Sequence, residues 1–266
     1  VEPITSRTNP KIKQARALRQ RKERDATGLF LVEGITHVAA AVESGAAVEC
    51  IFYVPEQLAS AFGSDLIARA EANSIACLPA SLEAFSSLSE KENPAGIAAM
   101  VRRNQLRLQS FNAESFPLIV ALVAPQDPGN IGTILRTMDA ASASGLILLE
   151  GGADAFHPNA VRASMGAVFY KPVVSAEFTE FAEWAKSNGY RIVGASARAA
   201  ADYRAAEFRR PLILLLGSEQ KGLSPEQRSV CDEMIRLPME GKISSLNLAV
   251  AAGILLYEIL SRRNKI

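Results

Sequence analysis

The 266-residue sequence is poor in the residues that build metal and disulfide chemistry. It has three cysteines, Cys50, Cys77 and Cys231, with no Cys-x-x-Cys pair, and two histidines, His37 and His157. That excludes a thiolate zinc site and a disulfide scaffold, and no metal is expected. No apolar run reaches the ~18 residues of a membrane helix, so no membrane partner is expected. The opening residues, VEPITSRTNP, lack the apolar core of a signal peptide, and a reducing cytoplasm is the expected location. Four catalytic signatures are also missing: GxGxxG after a strand, GxxxxGK followed by Ser or Thr, HExxH and GxSxG. Their absence argues against an ordinary dinucleotide fold, a P-loop, a zincin and an α/β-hydrolase. Excess charge of one sign is lacking too, since the net charge is +1.

Charge is nevertheless uneven along the chain. Residues 7–24 hold eight Lys or Arg against one acid, Glu23. Asn9-Pro10 reads as the start of a helix, a capping side chain followed by Pro in the first turn. Ile12, Ala15 and Leu18 give that helix only a thin apolar stripe. A merely soluble face mixes both signs, so a phosphate-contacting arm is the favoured reading, with Arg7, Lys11, Lys13, Arg16 and Arg19 as RNA-binding candidates.

Beyond the arm, short apolar strands alternate with helical stretches up to residue 101, which predicts a small α/β domain over residues 1–106. Polar residues 107–117, ending in Pro117, read as a linker. A second α/β domain over 118–266 begins with 118–124 (LIVALVA), a continuous apolar run suited to a strand buried on both faces. Asn130 reads as the cap of the helix that follows, whose apolar positions Ile131, Ile134, Leu135 and Met138 leave Arg136 on the opposite side. An i,i+3 ion pair of Arg136 with Asp139 is the structural alternative for that arginine.

Three strand-to-loop junctions in this domain concentrate Gly, Asn, Glu and Ser. They are 130–136 (NIGTILR), 217–222 (GSEQKG) and 238–247 (PMEGKISSLN). In open parallel sheets ligands sit beyond the carboxyl ends of strands, so three such loops imply one composite site. The last loop runs into an apolar stretch that reads as a buried helix. Ser245 and Asn247 there serve either as helix caps or as ligand-holding groups.

These three segments, in this order and spacing, resemble the motifs of the SpoU/TrmH family of RNA ribose 2′-O-methyltransferases in the SPOUT superfamily. Residues 5–101 more loosely resemble the substrate-binding domain, related to ribosomal protein L30e, that precedes the catalytic domain in many members. The resemblance implies an L30e-like domain followed by a SPOUT α/β domain with a parallel sheet and a trefoil knot. It also implies a homodimer through the C-terminal domain, S-adenosyl-L-methionine as cofactor, and rRNA or tRNA as partner. The donor falls to Gly217, Leu237 and Leu246, although Leu237 stands where Ile is commoner. The catalytic set falls on Arg136, with Asn130, Glu219, Ser245 and Asn247. A non-catalytic RNA-binding member of the fold and a base-directed RNA methyltransferase are the alternatives.

Overall fold

The computed structural model describes residues 2–89 and 93–263. They form two compact units: 1–104 with 156–169, and 105–155 with 170–266.

In the first unit, α1 (Pro10–Ala17) is capped by Asn9, whose side chain accepts from Lys11 N–H, and Pro10 opens the helix as the sequence predicts. The basic stretch is not one helix, however. It breaks after α1 and resumes as α2 (Arg21–Thr27). The break has a physical cause. Leu18 turns into the core, 1% exposed, and Arg24 follows it inward at 1%. The Arg24 Nη1 donates to the Leu18 and Arg19 carbonyls, both at 2.8 Å, and so satisfies groups released where the first helix ends. Arg24 therefore leaves the basic surface and becomes a structural cross-link.

The chain continues through β1 (Leu29–Glu33), α3 (Ile35–Glu43), β2 (Val48–Tyr53), α4 (Ala61–Ala72), β3 (Ala76–Pro79), α5 (Leu82–Ser86) and β4 (Ile97–Arg102). The four strands make a sheet in the order β1-β4-β2-β3. β4 runs antiparallel to both of its neighbours, and β2 and β3 are parallel. Ile12, Ala15 and Leu18 pack with Leu31, Phe52, Phe85 and Met100 in one apolar cluster.

The second unit opens with β5 (Leu118–Val123), buried at every residue, then α6 (Pro128–Ala140) and β6 (Gly145–Leu149). The chain then crosses to the first unit. Residues 156–169, including α7 (Pro158–Ala163), group there rather than with the 118–266 stretch that surrounds them in sequence. Aromatic packing accounts for this: the Phe30 ring of β1 lies 4.9 Å from Phe156 and 6.2 Å from Phe169.

The second unit resumes with β7 (Val173–Ala176), α8 (Phe178–Ser187), β8 (Arg191–Ala195), β9 (Ala201–Asp202), β10 (Leu212–Leu216), α9 (Pro225–Ser229), β11 (Glu233–Arg236) and α10 (Leu248–Arg263). Its seven strands are all parallel, in the order β7-β6-β5-β10-β8-β11-β9. Phe178, Phe181, Trp184 and Ala185 of α8 are buried against the sheet, the face their 3.6-residue spacing predicts. Strand order reverses between β5 and β10, which pair in register from Leu118 and Leu212 to Leu122 and Leu216. Their carboxyl ends are therefore side by side, and the 124–129 and 217–222 loops leave the sheet together.

Removing the Arg24 side chain strands two carbonyls at the α1–α2 turn. Arg24→Ala should lower unfolding free energy by about 2 kcal/mol, read as an earlier midpoint in chemical denaturation of the whole protein. Arg21→Ala, at an exposed position, should leave that midpoint nearly unchanged.

Candidate active site

The site grows from the reversal of strand order. Ala124, φ +42°, bends the chain out of β5, and Asp127 caps α6 by accepting from Gly129 N–H at 2.8 Å. Asp127, and not Asn130, is thus the helix cap. Asn130 is the third residue of the helix and is only 8% exposed. A polar side chain buried there needs partners, and it finds them in the other two motifs.

The Glu219 carboxylate, 89 residues further on, accepts from Asn130 Nδ2 at 3.2 Å. It also accepts from the Gln126 N–H at 3.1 Å. An anion thereby sits on the positive end of α6. Asn130 Oδ1 in turn accepts from Asn247 Nδ2 at 3.0 Å. Asn247 Oδ1 then accepts from the N–H groups of Ala249 and Val250 and caps α10. One relay, Glu219–Asn130–Asn247, thus ties all three loops and the starts of two helices. Asn247 is thus a helix cap as well as a member of the relay.

Arg136 stands apart from this relay. It is exposed on α6 and makes no ion pair or side-chain hydrogen bond with the described residues. The alternative pairing with Asp139 is not formed; Asp139 Oδ1 instead lies 3.1 Å from Lys171 Nζ. Arg136 is a cation on the same helix that the relay anchors, free to meet an external anion.

Gly217 follows β10 and opens a tight loop in which Gly222 N–H donates to the Ser218 carbonyl at 2.9 Å. A Cβ at Gly217 would fall 2.2 Å from the Gly222 carbonyl carbon and 2.4 Å from the Leu223 nitrogen. Glycine is thus required by the loop's own closure. A bulky replacement such as Gly217→Val would disrupt this loop, so it cannot serve as a fold-neutral test of ligand binding.

Leu237 and Leu246 are half-buried, and residues 240–245 between them are exposed. Among the described residues, no hydrogen bond or ion pair ties 238–246 to the rest of the chain. The stretch after β11 therefore carries backbone groups without hydrogen-bond partners among the described residues, flanked in sequence by two half-buried leucines. Ser245 is exposed on the same stretch.

The five basic candidates divide. The Arg7 Nε lies 3.3 Å from Glu83 and the Lys11 Nζ 3.7 Å from Glu49. Arg19 donates to the Leu88 and Ser87 carbonyls. It also lines a cleft of the first unit with Leu31, Glu33, Leu88 and Arg162. Lys13 and Arg16 make no ion pair with the described residues. Elsewhere, burial pushes the thiols of Cys50, Cys77 and Cys231 up to about 11, so they stay protonated at neutral pH and are poor nucleophiles. Among the described residues there is no group of three or more His, Cys, Asp or Glu that could hold a metal, and no helix is long and apolar enough to cross a membrane.

Sequence reasoning missed Asp127, the Gln126 N–H and Lys171. Asp127 carries a signal, since Asp-Pro is itself a helix-start pair, whereas the Gln126 N–H meets Glu219 only through the fold. Lys171 carries none, since only the fold brings it to Asp139.

Comparison with known proteins places the whole chain among RNA methyltransferases. The SpoU rRNA Methylase family profile matches residues 117–257, and the MRM3-like substrate binding domain profile matches residues 9–99. A 23S rRNA guanosine 2′-O-methyltransferase of Bacillus subtilis is 32% identical, over 97% of this chain and 99% of that protein. A 23S rRNA uridine 2′-O-methyltransferase of Streptomyces viridochromogenes is 35% identical, over 98% and 92%. The crystal structure of an AdoMet-bound rRNA methyltransferase from Sinorhizobium meliloti superposes with a TM-score of 0.88 at 34% identity, covering 100% of this chain and 98% of that one. The three linked motifs, the parallel sheet and these full-length matches lead to one conclusion: the chain belongs to the SpoU rRNA methylase family.

Proposed function

We propose that this protein transfers a methyl group from S-adenosyl-L-methionine to a ribose 2′-OH of ribosomal RNA. The observation that carries the reading is Arg136, an exposed arginine without an ion-pair partner among the described residues, on a helix anchored by the three-motif relay. Ribosomal RNA is preferred to tRNA because the full-length relatives named above act on 23S rRNA.

Leu237 and Leu246 would flank the adenine of the donor, and the backbone of the 217–222 and 238–246 loops would take its polar groups. When bound, the donor supplies an electrophilic methyl group. Arg136 positions an RNA phosphate and stabilises the 2′-oxygen as its proton passes to solvent water. It does so as a fixed cation, since arginine does not usefully deprotonate in proteins. Ser245 orients the ribose. Asn130, Glu219 and Asn247 are positioning residues in this scheme, because their polar atoms already serve the relay. The RNA backbone runs along Lys13 and Arg16, with Arg7, Lys11 and Arg19 contributing where their local partners yield. Two copies pair through α10, where Val250, Ile254 and Tyr257 form an apolar stripe that is 50, 38 and 53% exposed. The knot implied by the family resemblance and a cytoplasmic location belong to the same reading.

The deciding experiment incubates the protein with total RNA and methyl-labelled donor, then digests the RNA to nucleosides. Label in a 2′-O-methylnucleoside from rRNA is expected. Label in a methylated base, or none, would overturn the reading. Arg136→Ala should slow transfer by ~10²–10³, the usual cost of removing one charge-stabilising donor, with donor affinity retained by calorimetry. Arg136→Lys should recover part of the rate with an unchanged pH–rate shape. An ascending limb moved to lower pH would instead mean that this side chain acts as a base.

Neutralising Lys13 and Arg16 together should flatten the salt dependence of RNA binding, each lost contact reducing the slope by ~0.7–0.9. Neutralising Arg7 and Lys11, which start in ion pairs, should flatten it less. Sedimentation should give twice the chain mass, and Tyr257→Glu should shift the protein toward monomer.

A further inference from the structure

Arg136 and Asp139 stand one turn apart on α6, the spacing at which opposite charges pair on a helix. Both are exposed. They are nonetheless not partners, because Lys171 takes the carboxylate at 3.1 Å. The lysine is unlike an ordinary surface ammonium. Its side chain is only 15% exposed, against 52% for Asp139. It sits two residues before β7, whose Val173 pairs with Leu146 of β6. The ammonium is therefore delivered to Asp139 by a covered stem at the entry of a sheet strand, and has little rotational freedom to leave.

We propose that Lys171 is a positioning residue for methyl transfer: by holding the Asp139 carboxylate, it keeps Arg136 unpaired and available to the RNA. The proposal rests on the reading of Arg136 given above. Without the lysine, Asp139 becomes an unmatched acid one turn from the working arginine. It then competes with the RNA phosphate for the guanidinium. It also adds negative charge near the 2′-oxygen, where negative charge develops. Competition of this kind at an exposed helix surface is modest, and it predicts roughly a two- to five-fold loss of rate rather than inactivation.

The test is a double-mutant cycle on the full-length protein. Single-turnover methyl transfer to an unmodified 23S rRNA transcript is measured for the wild type, Lys171→Met, Asp139→Asn and the combined variant. Methionine keeps the covered stem without the charge. Lys171→Met should lose roughly two- to five-fold in rate with donor affinity unchanged. Asp139→Asn should match the wild type, and the combined variant should recover the wild-type rate. That recovery is the outcome a merely structural lysine cannot give. A combined variant as slow as Lys171→Met, or a Lys171→Met at wild-type rate, overturns the proposal. Arg136→Ala is run alongside. If Arg136→Ala retains wild-type rate, the reading of Arg136 falls and this proposal with it. If Arg136→Ala is inactive and the combined variant stays slow, the proposal about Lys171 falls alone.

Discussion

The second unit depends on a hydrogen bond between two amides, Asn247 Nδ2 to Asn130 Oδ1. Each asparagine spends its other polar atom elsewhere. Asn130 gives its Nδ2 to Glu219, and Asn247 gives its Oδ1 to the first turn of α10. Because an amide both donates and accepts, this order along the relay is the one that satisfies every group. Replacing either amide by a carboxylate would set two acceptors against each other. Loops that lie far apart in the sequence thus become mutually dependent, and the apolar strands beneath them set only where they start.

That dependence separates two kinds of polar residue at one site. Asn130, Glu219 and Asn247 are consumed by the structure they hold, and Glu219 further occupies the positive end of α6. Arg136 and Ser245 are exposed and take no part in the relay, and under the proposed function they are the ones that meet substrate. A helix end stopped by an internal carboxylate no longer attracts phosphate for itself.

Much of this arrangement is legible in the sequence, for reasons that differ by element. β5 and β10 are unbroken apolar runs, α8 shows its buried face at helical spacing, and Asn9-Pro10 starts a helix, because each of these signals is local. The three motif segments point to a composite site because Gly, Asn, Glu and Ser concentrate at three strand-to-loop junctions. Long-range partners are not legible in this way. Nothing near Arg24 signals that it folds inward to serve two carbonyls. Asn130 looks like a cap because caps are chosen among the same side chains that build buried networks, and only Asp127 three residues earlier resolves it. α10 reads as fully buried from its composition, yet its Val250, Ile254 and Tyr257 remain exposed. Composition does not reveal which side of an apolar helix lacks a neighbour within one chain.

The excursion of residues 156–169 to the first unit bears on how such a protein can be recombined. A gene fusion that moved residues 1–104 to another enzyme would carry β1 without the aromatic partners of Phe30, since Phe156 and Phe169 would stay behind. The recipient would inherit a uncovered aromatic face and a tendency to aggregate. Conversely, a SpoU-type domain cut at residue 105 would keep the fourteen residues that group with the first unit. A cut at a single point of the sequence therefore does not separate the two units, since the segment that completes the first is encoded within the second.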